Sequence, residues 1–282
     1  RAFGAAAIGG KLAGGAHGLR CAAMRVYAIG DVVGKPGREG LAAALPRLRE
    51  QYLPDLVVVN GENAGGGVGI TSETAEAIFE LGAGAITLGN HTYRHREVFA
   101  YLDSEQRIVR PANFPAQNPG RGHTIVDAAG MRVAVVNLSG GLHLTVERSP
   151  FPVADELVER LRGSADAVVV DFHAELTSEK VAMGWHLDGR VAAVLGTHTH
   201  VPTADARVLP GGTAHITDVG MTGSRDGVIG VKREQALRGF RTQMPVRFET
   251  ADENVWVMGA LVDVGDDGLA RSITQVLEPA AG

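Results

Sequence analysis

His198 and His200 stand two residues apart in Gly-Thr-His-Thr-His. In a strand or extended loop that spacing turns both rings the same way, so both could offer a nitrogen to metal ions. A His-x-His pair taken alone reads more readily as two structural or surface histidines, and its company changes the reading. Gly30-Asp31, Gly61-Glu62-Asn63, Gly89-Asn90-His91 and Asp171-Phe-His173 each close a short aliphatic run. Asp31, Glu62, Asn63, Asn90, His173, His198 and His200 then make seven oxygen and nitrogen donors. Seven is too many for one ion with an open position and suits two ions sharing a bridging carboxylate. Imidazole with carboxylate and amide oxygens selects iron, manganese, zinc or nickel rather than calcium or copper(I).

These donors need a scaffold that gathers chain ends. Aliphatic runs at residues 25–30, 55–60, 85–88, 132–138, 167–171, 191–196 and 213–217 read as buried strands. Between the early ones, Leu41, Ala44, Leu45 and Leu48 fall at helical spacing in 37–52, with Pro36 placed to start the helix. Thr71 can cap a helix over 72–81, and shorter helical patterns cover 95–102, 153–161 and 178–183. Strand and helix in alternation argue for an α/β chain with a largely parallel sheet, whose ligands gather beyond the carboxyl ends of the strands. The segment 222–244 has only weak periodicity. The tail from Val246 to Val276 alternates as half-exposed antiparallel strands do, which points to a second sheet packed on the first.

The 282 residues carry 45% hydrophobic side chains and a net charge of -5. Wholesale disorder is excluded, and nothing favours stable binding to long nucleic acid or an anionic membrane. No apolar run reaches the length of a membrane span. The single cysteine, Cys21, excludes disulfide frameworks and thiolate-rich metal sites and fits a reducing cytoplasm. Residues 1–23, mostly Ala and Gly, show no period and too sparse an apolar run for a signal peptide. They read as a disordered extension or start-site artefact ahead of Met24, with residues 24–282 forming one domain.

Gly-Asp, Gly-Glu-Asn, Gly-Asn-His and Gly-Thr-His-Thr-His in this order resemble the calcineurin-like metallophosphoesterase superfamily. Asp-Val-Gly-Met-Thr-Gly at 218–223, with Gly-Glu-Asn-Ala-Gly-Gly-Gly and Gly-Asn-His-Thr, narrows the resemblance to its YmdB-like branch of bacterial cyclic-nucleotide phosphodiesterases. That resemblance covers nearly all of Met24 to Pro279. It implies a four-layer α/β/β/α sandwich with a dinuclear centre at the strand ends. Carried over residue by residue, Asp31 and His200 would ligate one ion, Asn90, His173 and His198 the other, and Glu62 would bridge. The wider superfamily has a histidine where Val33 stands and an aspartate where Glu62 stands, and Asn63 is the candidate to replace the missing ligand. His91 would face the substrate, stabilise phosphoryl charge and protonate the leaving oxygen. The cofactors implied are two transition-metal ions, iron or manganese first and zinc as an alternative. The partner is a small phosphate ester, with 2′,3′-cyclic nucleotides favoured and the oligomeric state, a homo-oligomer included, left open.

Other residues carry less. The loop Gly65-Gly66-Gly67-Val68-Gly69 could cradle a phosphate, or its glycines could simply serve positive φ. His95, His123, His143, His186 and His215 read as structural or surface groups, Trp185 as packing, and Tyr93 as a candidate for the pocket. The same centre could serve a phosphomonoesterase or nuclease, or a metal-stabilised regulatory protein with little turnover.

Overall fold

The computed structural model describes residues 24–281, so the expectation for residues 1–23 lies outside the described residues. The order is β1 (Met24–Ile29), β2 (Asp31–Val32), α1 (Gly34–Tyr52), β3 (Leu56–Asn60), α2 (Ser72–Glu80), β4 (Ala85–Thr87), α3 (Val98–Ser104), β5 (Ile108–Val109), β6 (His123–Ala128) and β7 (Met131–Ser139). There follow α4 (Pro150–Leu161), β8 (Ala167–His173), α5 (Thr177–His186), β9 (Ala193–Thr197), β10 (Arg207–Val208), β11 (Ala214–Ile216), β12 (Met221–Ser224), α6 (Arg233–Thr242), β13 (Val255–Val264) and β14 (Ala270–Pro279).

The strands form two sheets. One runs β2-β12-β13-β1-β3-β4-β5 with β14 beside β13, and the other β10-β11-β9-β8-β7-β6. Because side chains alternate across a strand, β1 sends Val26 and Ala28 to the opposing sheet and Tyr27 and Ile29 to the helices. Strand β8 does the same, with Ala167 and Val169 between the sheets and Val168 and Val170 against α4 and α5. Three apolar layers result: α1 to α3 on the first sheet, sheet on sheet, and α4 with α5 on the second. This is the expected four-layer sandwich.

The helical spacing on α1 is used as read, since Leu41, Ala44, Leu45 and Leu48 are all fully buried. Thr71 caps α2 in a reciprocal pair with Thr74. The tail is a correction. β13 does not open a second sheet; it lies antiparallel to β1 within the first and is buried through most of its length. The second sheet comes instead from β6 to β11, where β7, β8, β9 and β11 are parallel neighbours. The weakly periodic 222–244 contains β12 and α6, which buries only Ala236 and so leaves little apolar pattern to read. Among the described residues no helix is long and apolar enough to cross a membrane.

Candidate functional site

β1, β3 and β4 of one sheet and β8 and β9 of the other point their carboxyl ends at a common place. Asp31 opens β2 one residue after β1, Glu62 and Asn63 follow β3, and Asn90 and His91 follow β4. His173 ends β8, while His198 and His200 follow β9. Every residue expected at the site is therefore brought together. Close approach of the strands requires glycine at two of these ends. A Cβ on Gly89 would lie 2.2 Å from Glu62 Oε2 and 2.4 Å from His173 Nε2, and one on Gly196 would lie 1.8 Å from the Thr217 carbonyl oxygen.

The three histidines share one arrangement. His198 Nε2–H donates to Glu175 (2.8 Å), and His200 Nδ1–H donates to the Ile229 carbonyl (2.9 Å). Thr197 gives its hydroxyl proton to Asp171 (2.6 Å), so its oxygen accepts from His173 Nδ1–H (2.9 Å). Each ring is thereby anchored through one nitrogen, with the other nitrogen turned inward. Inward, His173 Nε2 lies 3.0 Å from Glu62 Oε1, 3.0 Å from Asn90 Oδ1 and 3.0 Å from His198 Nδ1. His200 Nε2 lies 3.7 Å from Asp31 Oδ1 and 3.2 Å from the Asn63 amide, which is itself 3.4 Å from both Asp31 and Glu62.

Electrostatics agree with a cationic occupant. Asp31, Glu62 and His173 are fully buried. Burial raises the Glu62 carboxyl, but His173 and His91 overcome it and hold the group well below the carboxylate range. Burial likewise opposes charge on His173, yet Glu62, Asp31 and Asp171 push it up to about 9. Glu62, His173 and His198 offer ligand atoms within 4.8 Å of one another, a group able to hold a metal ion. Imidazole nitrogens, amide oxygens and buried carboxylates converging in this way fit the transition metals expected from the donor types.

The His-x-His pair reaches the site by a different backbone from the one its spacing suggested. β9 stops at Thr197, and His198 (φ 93°) and His200 (φ 66°) are both left-handed, so they do not lie side by side in extended chain. Their rings go to different partners, His198 to His173 and Glu175, and His200 to Asp31 and Asn63. Positive φ in a side-chain-bearing residue is unfavourable, and the residue between them is pinned. Thr199 donates its N–H (3.2 Å) and hydroxyl (2.6 Å) to Asp218, which also receives Lys180 Nζ at 2.7 Å. Both members of that ion pair are buried.

Asp171, at a polar strand end like the ligands, takes no place in the cluster. It lies between the sheets, accepting from Asn60 (2.9 Å), Thr87 (2.5 Å) and Thr197, and burial lifts its carboxyl to about 6. His91 is the most open member, its side chain 36% exposed. Its Nδ1 meets Glu62 Oε1 at 3.2 Å and Asn63 Oδ1 at 3.0 Å, and its backbone N–H donates to Glu62 at 3.1 Å.

A cavity of about 490 Å³ opens here. Glu62, Asn63, His91, His198 and His200 line one side, with Gly66 and Gly67 of the glycine loop. Both glycines have positive φ, and His95 fastens the loop by contact with the Gly65 and Val68 carbonyls, so His95 is structural. Tyr93 bonds the Pro119 carbonyl and packs on Phe99 and Phe114; it is not among the cavity residues. The residues that the sequence left unmarked are Glu175, Lys180 and the apolar wall from 228 to 250. Among the supporting residues Thr197 and Thr199 lay within Gly-Thr-His-Thr-His, and Asp218 opened the Asp-Val-Gly-Met-Thr-Gly segment.

Residues 27–276 match the model of the YmdB-like protein family. Over 243 residues the chain is 48% identical to the 2′,3′-cyclic-nucleotide 2′-phosphodiesterase of Bacillus subtilis, covering 86% of this chain and 92% of that one. A protein of Thermus thermophilus described only as hypothetical superposes with a TM-score of 0.85 at 41% identity, over 91% of this chain and 99% of the other. A structure from Mycoplasma pneumoniae described as a novel phosphatase gives 0.83 at 35% identity, over 91% and 94%.

Proposed function

The chain belongs to the YmdB-like family, and from that premise we propose that it is a metal-dependent phosphoric diester hydrolase that opens small cyclic nucleotides, 2′,3′-cyclic nucleotides foremost. The observation that carries this reading is the set of three imidazoles whose outer nitrogens are bonded and whose inner nitrogens converge on buried carboxylates. Asp31, Asn63 and His200 would hold one ion, Asn90, His173 and His198 a second, and Glu62 would stand between them. Iron or manganese is the expected metal, and zinc also fits the donors. Such ions, when bound, polarise phosphate oxygens and make water a nucleophile near neutral pH.

The chain's own groups supply the rest. With Nδ1 engaged by Glu62 and Asn63, His91 has Nε2 to offer a ligand in the cavity it lines. As the water oxygen bonds to phosphorus, the P–O2′ bond breaks and the ribose oxygen leaves with its electron pair. His91, when its Nε2 carries a proton, gives that proton to the ribose oxygen and takes back the one shed by the attacking water, yielding a 3′-phosphomonoester. A cytoplasmic setting is supported by a sequence with one cysteine.

The test is turnover of 2′,3′-cyclic AMP with added manganese, resolved chromatographically. The reading expects adenosine 3′-phosphate as product and loss of turnover on chelation. Hydrolysis of p-nitrophenyl phosphate alone would make the protein a monoesterase. No hydrolysis of either would leave a regulatory binding protein.

A further inference from the structure

The cavity has a second wall that the chemistry above does not use. Val33, Val68, Ile229, Phe240 and Phe248 line it, in the same cavity as groups as polar as Glu62 and His91. Phe240 is 78% exposed and Phe248 54%. Leaving two phenyl rings in water forgoes stabilisation that burial would bring, and here the rings border a site built for a charged ligand. The wall is not loosely attached. Lys232 Nζ pairs with Glu249 at 2.6 Å, Glu249 N–H donates to Gln235 at 2.7 Å, and Val231 bridges Thr250. Phe248 also lies alongside Gly239, the residue before Phe240, so the two rings belong to one surface. Continuity with the polar side is direct, because the Ile229 carbonyl is the group that holds His200.

We propose that Phe240 and Phe248 form the nucleobase subsite of this cavity. The proposal rests on the functional reading above and deepens it by naming what the apolar wall takes. A nucleoside 2′,3′-cyclic phosphate carries its phosphate and its base on opposite sides of one ribose, and this cavity pairs anion-handling groups with aromatic faces. Every base has a π-face, so stacking on phenyl rings is tolerant of base identity. The subsite therefore favours nucleotides over phosphodiesters that lack a base and discriminates weakly among the four bases.

Two measurements on the metal-loaded full chain test this. The first compares kcat/KM for 2′,3′-cyclic AMP with that for methyl riboside 2′,3′-cyclic phosphate, which has no base. Stacking on an aromatic side chain corresponds to roughly 5- to 150-fold. In these exposed positions we expect the preference for the nucleotide to fall about 5- to 20-fold in Phe240→Ala and in Phe248→Ala, mostly through KM. Phe240→Trp should restore it. Both sites are exposed, so the variants should fold normally.

The second measurement is calorimetric binding of adenosine 3′-phosphate, which needs no turnover. Its affinity should weaken by the same factor in the alanine variants. If wild type binds in this way but hydrolyses neither cyclic substrate, the functional reading fails and the subsite stands. If the alanine variants keep the full preference and the full affinity, the proposal is overturned. If instead they shift the oligomeric state in light scattering while binding is unaltered, the rings are an interface between copies of this chain, and the proposal is equally overturned.

Discussion

At the polar wall of the cavity and just behind it, Asp31, Glu62 and His173 are fully buried and each inward atom is met by another protein group; at the apolar wall, Phe240 and Phe248 stand largely in solvent on a helix that buries only Ala236 and on the chain that follows it. The first wall is made of strand ends from two sheets, and its histidines are held from behind by Glu175, Thr197 and the Ile229 carbonyl. It tolerates two left-handed histidines, each costing about 1–3 kcal/mol, because the Asp218–Lys180 pair pins Thr199 between them. The second wall has side chains that can adjust. Rigid geometry is needed where ions must be gripped, while recognition of an apolar ring needs only area and reach. Val33 sits where the two designs meet. The wider superfamily carries a ligand histidine at that position, and here the residue faces the cavity as part of the apolar wall, while Asn63 reaches between Asp31 and His200.

The largest effect is expected from Glu62→Ala, which removes the carboxylate shared by both groups of donors; bound metal and turnover should both fall to background. His91→Ala should separate the two properties. Metal content stays near wild type, while kcat for 2′,3′-cyclic AMP falls roughly 10²- to 10⁴-fold, the usual worth of a general acid. Lost metal in that variant would move His91 into the ligand set.

Asp218→Ala probes the support rather than the ligands. Metal affinity, read by calorimetry, should weaken roughly 10- to 100-fold, as for other residues that orient a ligand. Lys180 is then left buried without its partner, which costs about 3–5 kcal/mol of stability. Adding Lys180→Met should return most of that stability in chemical denaturation but not the affinity, because Thr199 remains unpinned. Recovery of both would show that the pair acts on folding alone. At the smallest end, Ile229→Ala keeps the carbonyl that holds His200 and trims only an exposed side chain. Metal content should be unaltered and stability should change by less than about 0.5 kcal/mol.

Much of the first wall was legible in the sequence because strand ends announce themselves: an aliphatic run followed by Gly and a polar residue places a donor at a sheet's carboxyl edge. Asp171 shows the limit of that rule, since it ends its run like a ligand yet turns between the sheets to steady Thr197. The supports were less visible. Lys180 lies within a helix and pairs across 38 residues, and Glu175 follows β8 without a motif. The tail's strands were recognisable by alternation, but which sheet they join depends on the pairing of β13 with β1, a contact between residues at opposite ends of the described chain. The apolar wall gave no periodic signal because α6 packs so little of itself.

The most direct test is the metal content of protein purified without chelator, measured by mass spectrometry on wild type, His200→Ala, His173→Ala and Glu62→Ala. The account predicts about two ions per chain in wild type, a clear loss in each histidine variant and the deepest loss in Glu62→Ala. Full occupancy in Glu62→Ala would contradict a centre bridged by that carboxylate.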